Sequence, residues 1–227
     1  MKRTAFIVGD SVPLPRAGTV PVQCTWPYLL EERFRDEVYF VAQCVGGGTT
    51  EALRTLVETN APYFRPQIAI AQFGVVDAAP RTLLPREKAA LDALLGIPAL
   101  MEELFRANHA AISAARNVTY VPVERFIDNC AAIFGALARQ RCTTLVVPIQ
   151  PAWYRFAEAG PTFNGGNRPL YNEVLQKTVE ATGGAFLSEL ELPEAAFLLD
   201  GHHLNMIGHR AVYEAVAARL EALLAAR

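Results

Sequence analysis

The chain has 227 residues, 52% hydrophobic and 19% charged, with 21 Lys and Arg against 23 Asp and Glu, a formal net charge of −2. This is an ordinary globular composition. Its basic residues are scattered, so it lacks the clustered positive charge with which nucleic-acid binders displace counterions from phosphates. No apolar stretch approaches the roughly 20 consecutive residues of a membrane span.

Lys2 and Arg3 precede an apolar run that stops at Gly9-Asp10-Ser11, short of the roughly 7 to 15 apolar residues of a secretory signal. The run reads instead as a first buried strand. Cys24, Cys44, Cys130 and Cys142 form no Cys-x-x-Cys pair. Reduced thiols, no structural zinc and a cytoplasmic location are therefore expected.

In chain order, short β-rich apolar runs alternate with longer segments of helical period. The strands expected are Thr4–Val8, Val38–Ala42, Ile68–Gln72, Thr144–Ile149 and Ala185–Leu187. The helical segments are Thr50–Glu58, Lys88–Arg116, Glu124–Arg139, Pro169–Thr182 and Met206–Ala226. Such alternation predicts βαβ units and a parallel sheet covered on both faces. Thr49 or Thr50 is positioned to cap the first turn of the Thr50–Glu58 segment, and Gly183-Gly184 to end a helix in a left-handed cap. The Pro-rich stretch 79–104 reads as an insertion or lid on one domain spanning 1–227.

In an open parallel α/β sheet, ligands bind beyond the carboxyl ends of the strands. Ser11, Gly46–Thr50, Gly74, Asp77, Gln150 and Trp153 all follow strands directly, and Asp200-Gly201-His202-His203 precedes the last helix. Asp200 and His203 are three apart, a spacing that allows the carboxylate to orient an imidazole as general base. The bland alternative is that Asp200 merely caps the last helix. Asp200, a neighbouring histidine and His209 could also be metal ligands, although they lack a familiar ligand spacing. Ser11 supplies a hydroxyl that such a base could activate, and Gly9 allows the turn before it to pack closely. Here the bland alternative is a polar turn with Ser11 as a helix cap.

Taken together, these residues resemble the SGNH (GDSL-type) hydrolases. Gly9-Asp10-Ser11-Val12 is similar to the family's first block, and Asp200-Gly201-His202-His203 to its last, Asp-x-x-His. Cys44–Thr50 resembles the second block and Arg168–Asn172 another recurrent stretch. The resemblance implies a flavodoxin-like three-layer α/β/α sandwich with about five parallel strands. It also implies a Ser11–His203–Asp200 triad and an oxyanion-binding backbone N–H, placed at Gly47 by its offset from Thr49. One block departs: Gly-x-Asn-Asp stands as Gly74-Val75-Val76-Asp77, so Val76 replaces the side chain that would donate to the oxyanion. Arg81, on the same loop, is the first substitute, with Gln43, Gln72 and Gln150 behind it.

The expected activity is hydrolysis of a carboxylic ester, small-molecule or carbohydrate-linked, with no metal or organic cofactor. A rival expectation is a binding protein of the same fold that lost turnover with the Asn. Trp153, Tyr154, Phe156 and Phe163, with Asn164 and Asn167, would either wall the substrate pocket or cover the sheet edge. The balanced charge is compatible with an uncharged ester.

Overall fold

The computed structural model describes residues 2–95, 108–153 and 162–226. Five strands form one all-parallel sheet: β1 (Arg3–Gly9), β2 (Val38–Cys44), β3 (Ile68–Gln72), β4 (Thr143–Val146) and β5 (Ala185–Phe186), ordered β2-β1-β3-β4-β5. Ala5–Val8 in β1 and Ala69–Ala71 in β3 are at most 1% exposed. Strands buried on both faces need a helical layer on each side, which is why they read as continuous apolar runs rather than alternating ones.

Helix α1 (Trp26–Phe34) packs against the C-terminal helix; α2 (Thr50–Phe64) belongs to a second group. A single turn, α3 (Val75–Ala78), follows β3, and α4 (Pro85–Leu95) and α5 (His109–Arg116) come next. Helix α6 (Val123–Arg139) contacts both α2 and α7 (Arg168–Ala181), and α8 (Met206–Ala225) closes the chain. The sheet and both groups share one apolar core, from Ala5 and Phe6 through Leu53, Phe126 and Ile133 to Val216 and Leu220.

The strand order and the parallel sheet match the expected architecture. Four local differences have physical causes. Helix α1 was not anticipated from its short, Pro-containing segment, although Trp26, Leu30 and Phe34, all buried, carry an i, i+4, i+8 pattern. Helix α2 continues past Glu58 and through Pro62 to Phe64, ending where Arg65 turns left-handed at φ 44°. Strand β4 stops at Val146 rather than Ile149: Val147 still donates to Ala71 O at 2.8 Å, but Pro148 has no N–H to continue the ladder. The Lys88–Arg116 segment corresponds to α4 and α5; the residues between them, and part of the expected insertion, lie outside the described residues.

Helix ends are finished partly as expected. Gly183 (φ 78°) closes α7, with its N–H on Glu180 O and that of Gly184 on Val179 O. At α2 neither threonine hydroxyl caps the first turn. Asp77 does so from α3, accepting from Thr50 N at 2.9 Å and from Thr50 Oγ1 at 2.6 Å. None of the helices formed by the described residues is long and apolar enough to cross a membrane.

Candidate active site

The strand order reverses between β1 and β3, and at that switch point the loops beyond the carboxyl ends diverge and leave a crevice. Ser11 lies just after β1 and is 8% exposed. The tight approach depends on Gly9: a Cβ there would sit 2.6 Å from Pro13 Cγ and 3.1 Å from Gln72 O. Asp10, fully buried, braces the turn by accepting from Val12 N at 2.9 Å.

His203 arrives from the far end of the chain on a tight loop between Ala196 and Asn205. Phe197 and Leu204 pair across the loop's base, Leu198 N donates to His203 O at 2.8 Å, and Gly201 turns at φ 75°. The imidazole then bridges the two other members of the constellation. Its Nε2 is 3.0 Å from Ser11 Oγ and its Nδ1 is 2.7 Å from Asp200 Oδ2. The other carboxylate oxygen of Asp200 accepts from His203 N at 2.9 Å and His202 N at 3.1 Å. Although burial acts to raise the Asp200 pKa, the hydrogen bonds from His203 and His202 hold this carboxyl well below the usual carboxylate range. It is ionised at neutral pH and oriented to receive the Nδ1–H of His203. That tautomer leaves Nε2 as the acceptor for the Ser11 hydroxyl.

The bland alternatives for these residues fail on geometry. Asn205 caps α8, its Oδ1 accepting from Ile207 N at 2.9 Å and Gly208 N at 3.1 Å, so Asp200 is not the cap. Ser11 bonds His203 instead of a helix end. Asp200, His202 and His203 each bring one ligand-type atom within 4.8 Å of the others. Here, however, both Asp200 oxygens and both His203 ring nitrogens are engaged with one another, with Ser11 or with the loop backbone. His209 is elsewhere, fully buried, with Nδ1 accepting from Trp26 N at 3.3 Å. Burial, helped by the positive charge of Arg16, pushes the His209 pKa down to about 4. It also pushes that of His202 down to about 4, with His203 adding to the shift. Both rings are therefore neutral at pH 7.

A cleft of about 430 Å³ opens over Ser11 and His203. Gly46 and Gly47 form one wall, with Gly47 at φ 67°. Among the described residues, neither Ser11 N–H nor Gly47 N–H has a hydrogen-bond acceptor. Val75 and Val76 line the opposite side, and Arg81 lies there too. Its Nη2 donates to Val76 O at 2.8 Å and its guanidinium covers the Tyr120 ring at 3.9 Å. None of the three glutamines considered as donors lines this cleft, and the donor nitrogen of Gln72 is buried without a partner. Gln43 accepts from Asn60, Gln72 from Trp26 Nε1, and Gln150 ties Pro148 O and Leu190 O to Leu192 N.

Two lining residues escaped the sequence reading. Arg16 donates to Ser11 O at 2.9 Å, holding the peptide of Ser11; its place five residues after the serine was the available clue. Tyr120 carried no signal, because only the Arg81–Val118 bridge brings it under Arg81. Of the expected aromatic wall, Phe163 is fully buried, Asn164 bonds both backbone groups of Ala152, and Asn167 donates to Ala78 O. These residues tie the segment before α7 to the loop after β4 and the turn after β3 and do not line the cleft, and Tyr154 and Phe156 lie outside the described residues.

No family model matches the sequence, and no curated protein matches it either. Solved structures do match over nearly the whole chain. A lipase/acylhydrolase from Enterococcus faecalis superposes with a TM-score of 0.66 at 13% identity, covering 97% of this chain and 96% of that one. The psychrotrophic esterase EstA from Pseudoalteromonas sp. gives 0.62 at 14%, covering 98% and 99%. A carbohydrate acetylesterase family member from Sinorhizobium meliloti gives 0.58 at 14%, again covering 98% and 99%. The chain therefore has the SGNH hydrolase fold, the architecture that its sequence blocks imply.

Proposed function

We propose that the protein is a serine esterase that hydrolyses a carboxylic ester through an acyl-enzyme. The observation that carries this reading is the unbroken chain Ser11 Oγ, His203, Asp200, with links of 3.0 and 2.7 Å, opening on the cleft. In this mechanism Ser11 Oγ bonds to the ester carbonyl carbon while its proton passes to His203 Nε2, and Asp200 stabilises the resulting imidazolium. The tetrahedral intermediate expels the alcohol, which takes the proton from His203. Water then repeats the sequence and releases the acid. The N–H groups of Ser11 and Gly47 are the oxyanion donors, and Arg81 binds substrate from the cleft wall. The small cleft suits a short acyl group, including an O-acetyl group on a carbohydrate; one structural neighbour is titled a carbohydrate acetylesterase family member.

The test is hydrolysis of p-nitrophenyl esters of graded acyl length by wild type and Ser11→Ala. Turnover by the wild type that is abolished in the variant supports the esterase. Absence of Ser11-dependent hydrolysis at every acyl length would leave the rival reading, a binding protein that lost turnover when Val76 replaced the Asn donor.

A further inference from the structure

The cleft holds an imbalance that the whole-chain charge of −2 conceals. Two of its lining residues are arginines, Arg16 and Arg81, and none is an acid. Asp200 lies behind the imidazole of His203 and is already ionised against it. Arg16 reaches the cleft while one guanidinium nitrogen holds Ser11 O.

Arg81 is the more constrained of the two. Its backbone is pinned by a 2.8 Å hydrogen bond from its N–H to Val118 O, its Nη2 by Val76 O, and its flat face by Tyr120. Among the described residues no carboxylate lies within 4.0 Å of its nitrogens. Asp77, four residues earlier, acts on it through space without a hydrogen bond; its Oδ1 accepts from Thr50 and its Oδ2 has no hydrogen-bond partner. Arg81 Nε is buried without a hydrogen-bond partner. An anion that reaches the guanidinium from the cleft offsets the cost of its desolvation. Tyr120 holds its plane in advance, so little side-chain entropy is lost when a planar or tetrahedral oxyanion binds its edge.

We infer that Arg81, with Arg16, selects esters that carry a negatively charged group, a carboxylate or a phosphate. This rests on the esterase reading. Because that reading gives the acyl group little bulk, the charge falls on the alcohol portion. Arg81 then determines specificity, while bond making and breaking stay with Ser11 and His203.

Three aryl acetates differing only at the para position test it: 4-methylphenyl acetate, 4-acetoxybenzoate and 4-acetoxyphenyl phosphate. Hydrogen bonds to charged groups are worth enough to change binding about 10- to 100-fold. The ratio of kcat/KM for an anionic ester over the neutral one should fall by that factor in Arg81→Gln and by less in Arg81→Lys, which keeps the charge and loses the stacked plane. The carboxylate and phosphate arms show which anion is favoured. A ratio unchanged in Arg81→Gln overturns the inference, even if every ester is hydrolysed. Calorimetric titration of Ser11→Ala with the two anionic esters, with and without Arg81→Gln, separates this outcome from failure of the esterase reading. Binding lost at least tenfold with Arg81, in a protein whose wild type hydrolyses nothing, sinks the esterase and keeps the anion site. Binding that is absent, or indifferent to Arg81, sinks the site.

Discussion

The carboxylate of Asp200 offers a direct test, because an isosteric change alters its proton bookkeeping and little else. In Asp200→Asn one side-chain position must still accept the N–H groups of His203 and His202, now at 2.9 and 3.1 Å. Those two donors keep the amide oxygen where Oδ1 is. The amide NH₂ then faces His203 Nδ1, at the position where Oδ2 now sits 2.7 Å away. Two donors cannot share that line, so the imidazole must carry its proton on Nε2 instead, and Nε2 can no longer accept from Ser11 Oγ. Loss of the correct tautomer in a serine triad costs about 10⁴ in turnover. We expect a fall of about 10³ to 10⁴ in kcat, equivalent to about 4 to 5 kcal/mol in the barrier. Substrate binding should change little, because Asp200 does not line the cleft. The assay is steady-state hydrolysis of the best p-nitrophenyl ester, with circular dichroism to verify the fold. A folded variant retaining kcat within about threefold of wild type would refute the proposed role of Asp200.

Other substitutions probe the remaining parts. Val76→Asn puts an amide donor on the cleft wall; since one oxyanion donor is worth about 10² to 10³ in turnover, kcat should rise at least tenfold, and an unchanged kcat would show that this position does not face the oxyanion. Gly208→Ala places a Cβ 2.3 Å from Ala196 O, at the base of the loop that carries Asp200 and His203. Thermal unfolding should report a loss of about 1 to 3 kcal/mol, with weaker turnover. His209 is neutral when folded because its pKa is held at about 4, whereas unfolded histidine protonates near its ordinary value. Its contribution is thus full above about pH 6.5 and is lost as pH falls towards 4, by up to about 3 kcal/mol. His209→Asn, which keeps an acceptor for Trp26 N, should flatten the acid limb of a denaturant-melt pH series; an unchanged limb would assign it to other groups.

Much of the fold could be read along the chain because each strand's burial is a local pattern. AFIV in β1 and IAIA in β3 are apolar throughout, as strands covered on both faces must be. Ser11 and Asp200–His203 were legible because each lies in a short block whose internal spacing does the positioning. Helix α1 was overlooked despite its i, i+4, i+8 core residues, since its span is short and opens with Pro27.

What the residue order could not reveal is which distant side chains converge. Thr49 and Thr50 are plausible caps on local grounds, yet the first turn of α2 is satisfied by Asp77, 27 residues beyond Thr50, because the strands they follow, β2 and β3, flank β1 in the sheet. Arg81 could be proposed from its loop, but its orientation depends on Tyr120, and the cleft's positive lining on Arg16 from the opposite side of the switch point. Local periodicity and spacing therefore determined the strands, their order of appearance and the catalytic-type residues. Tertiary structure decided the capping, the charge of the cleft and the direction of each donor, because Coulomb and hydrogen-bond energies depend on separation and angle in space, and separation along the chain specifies neither.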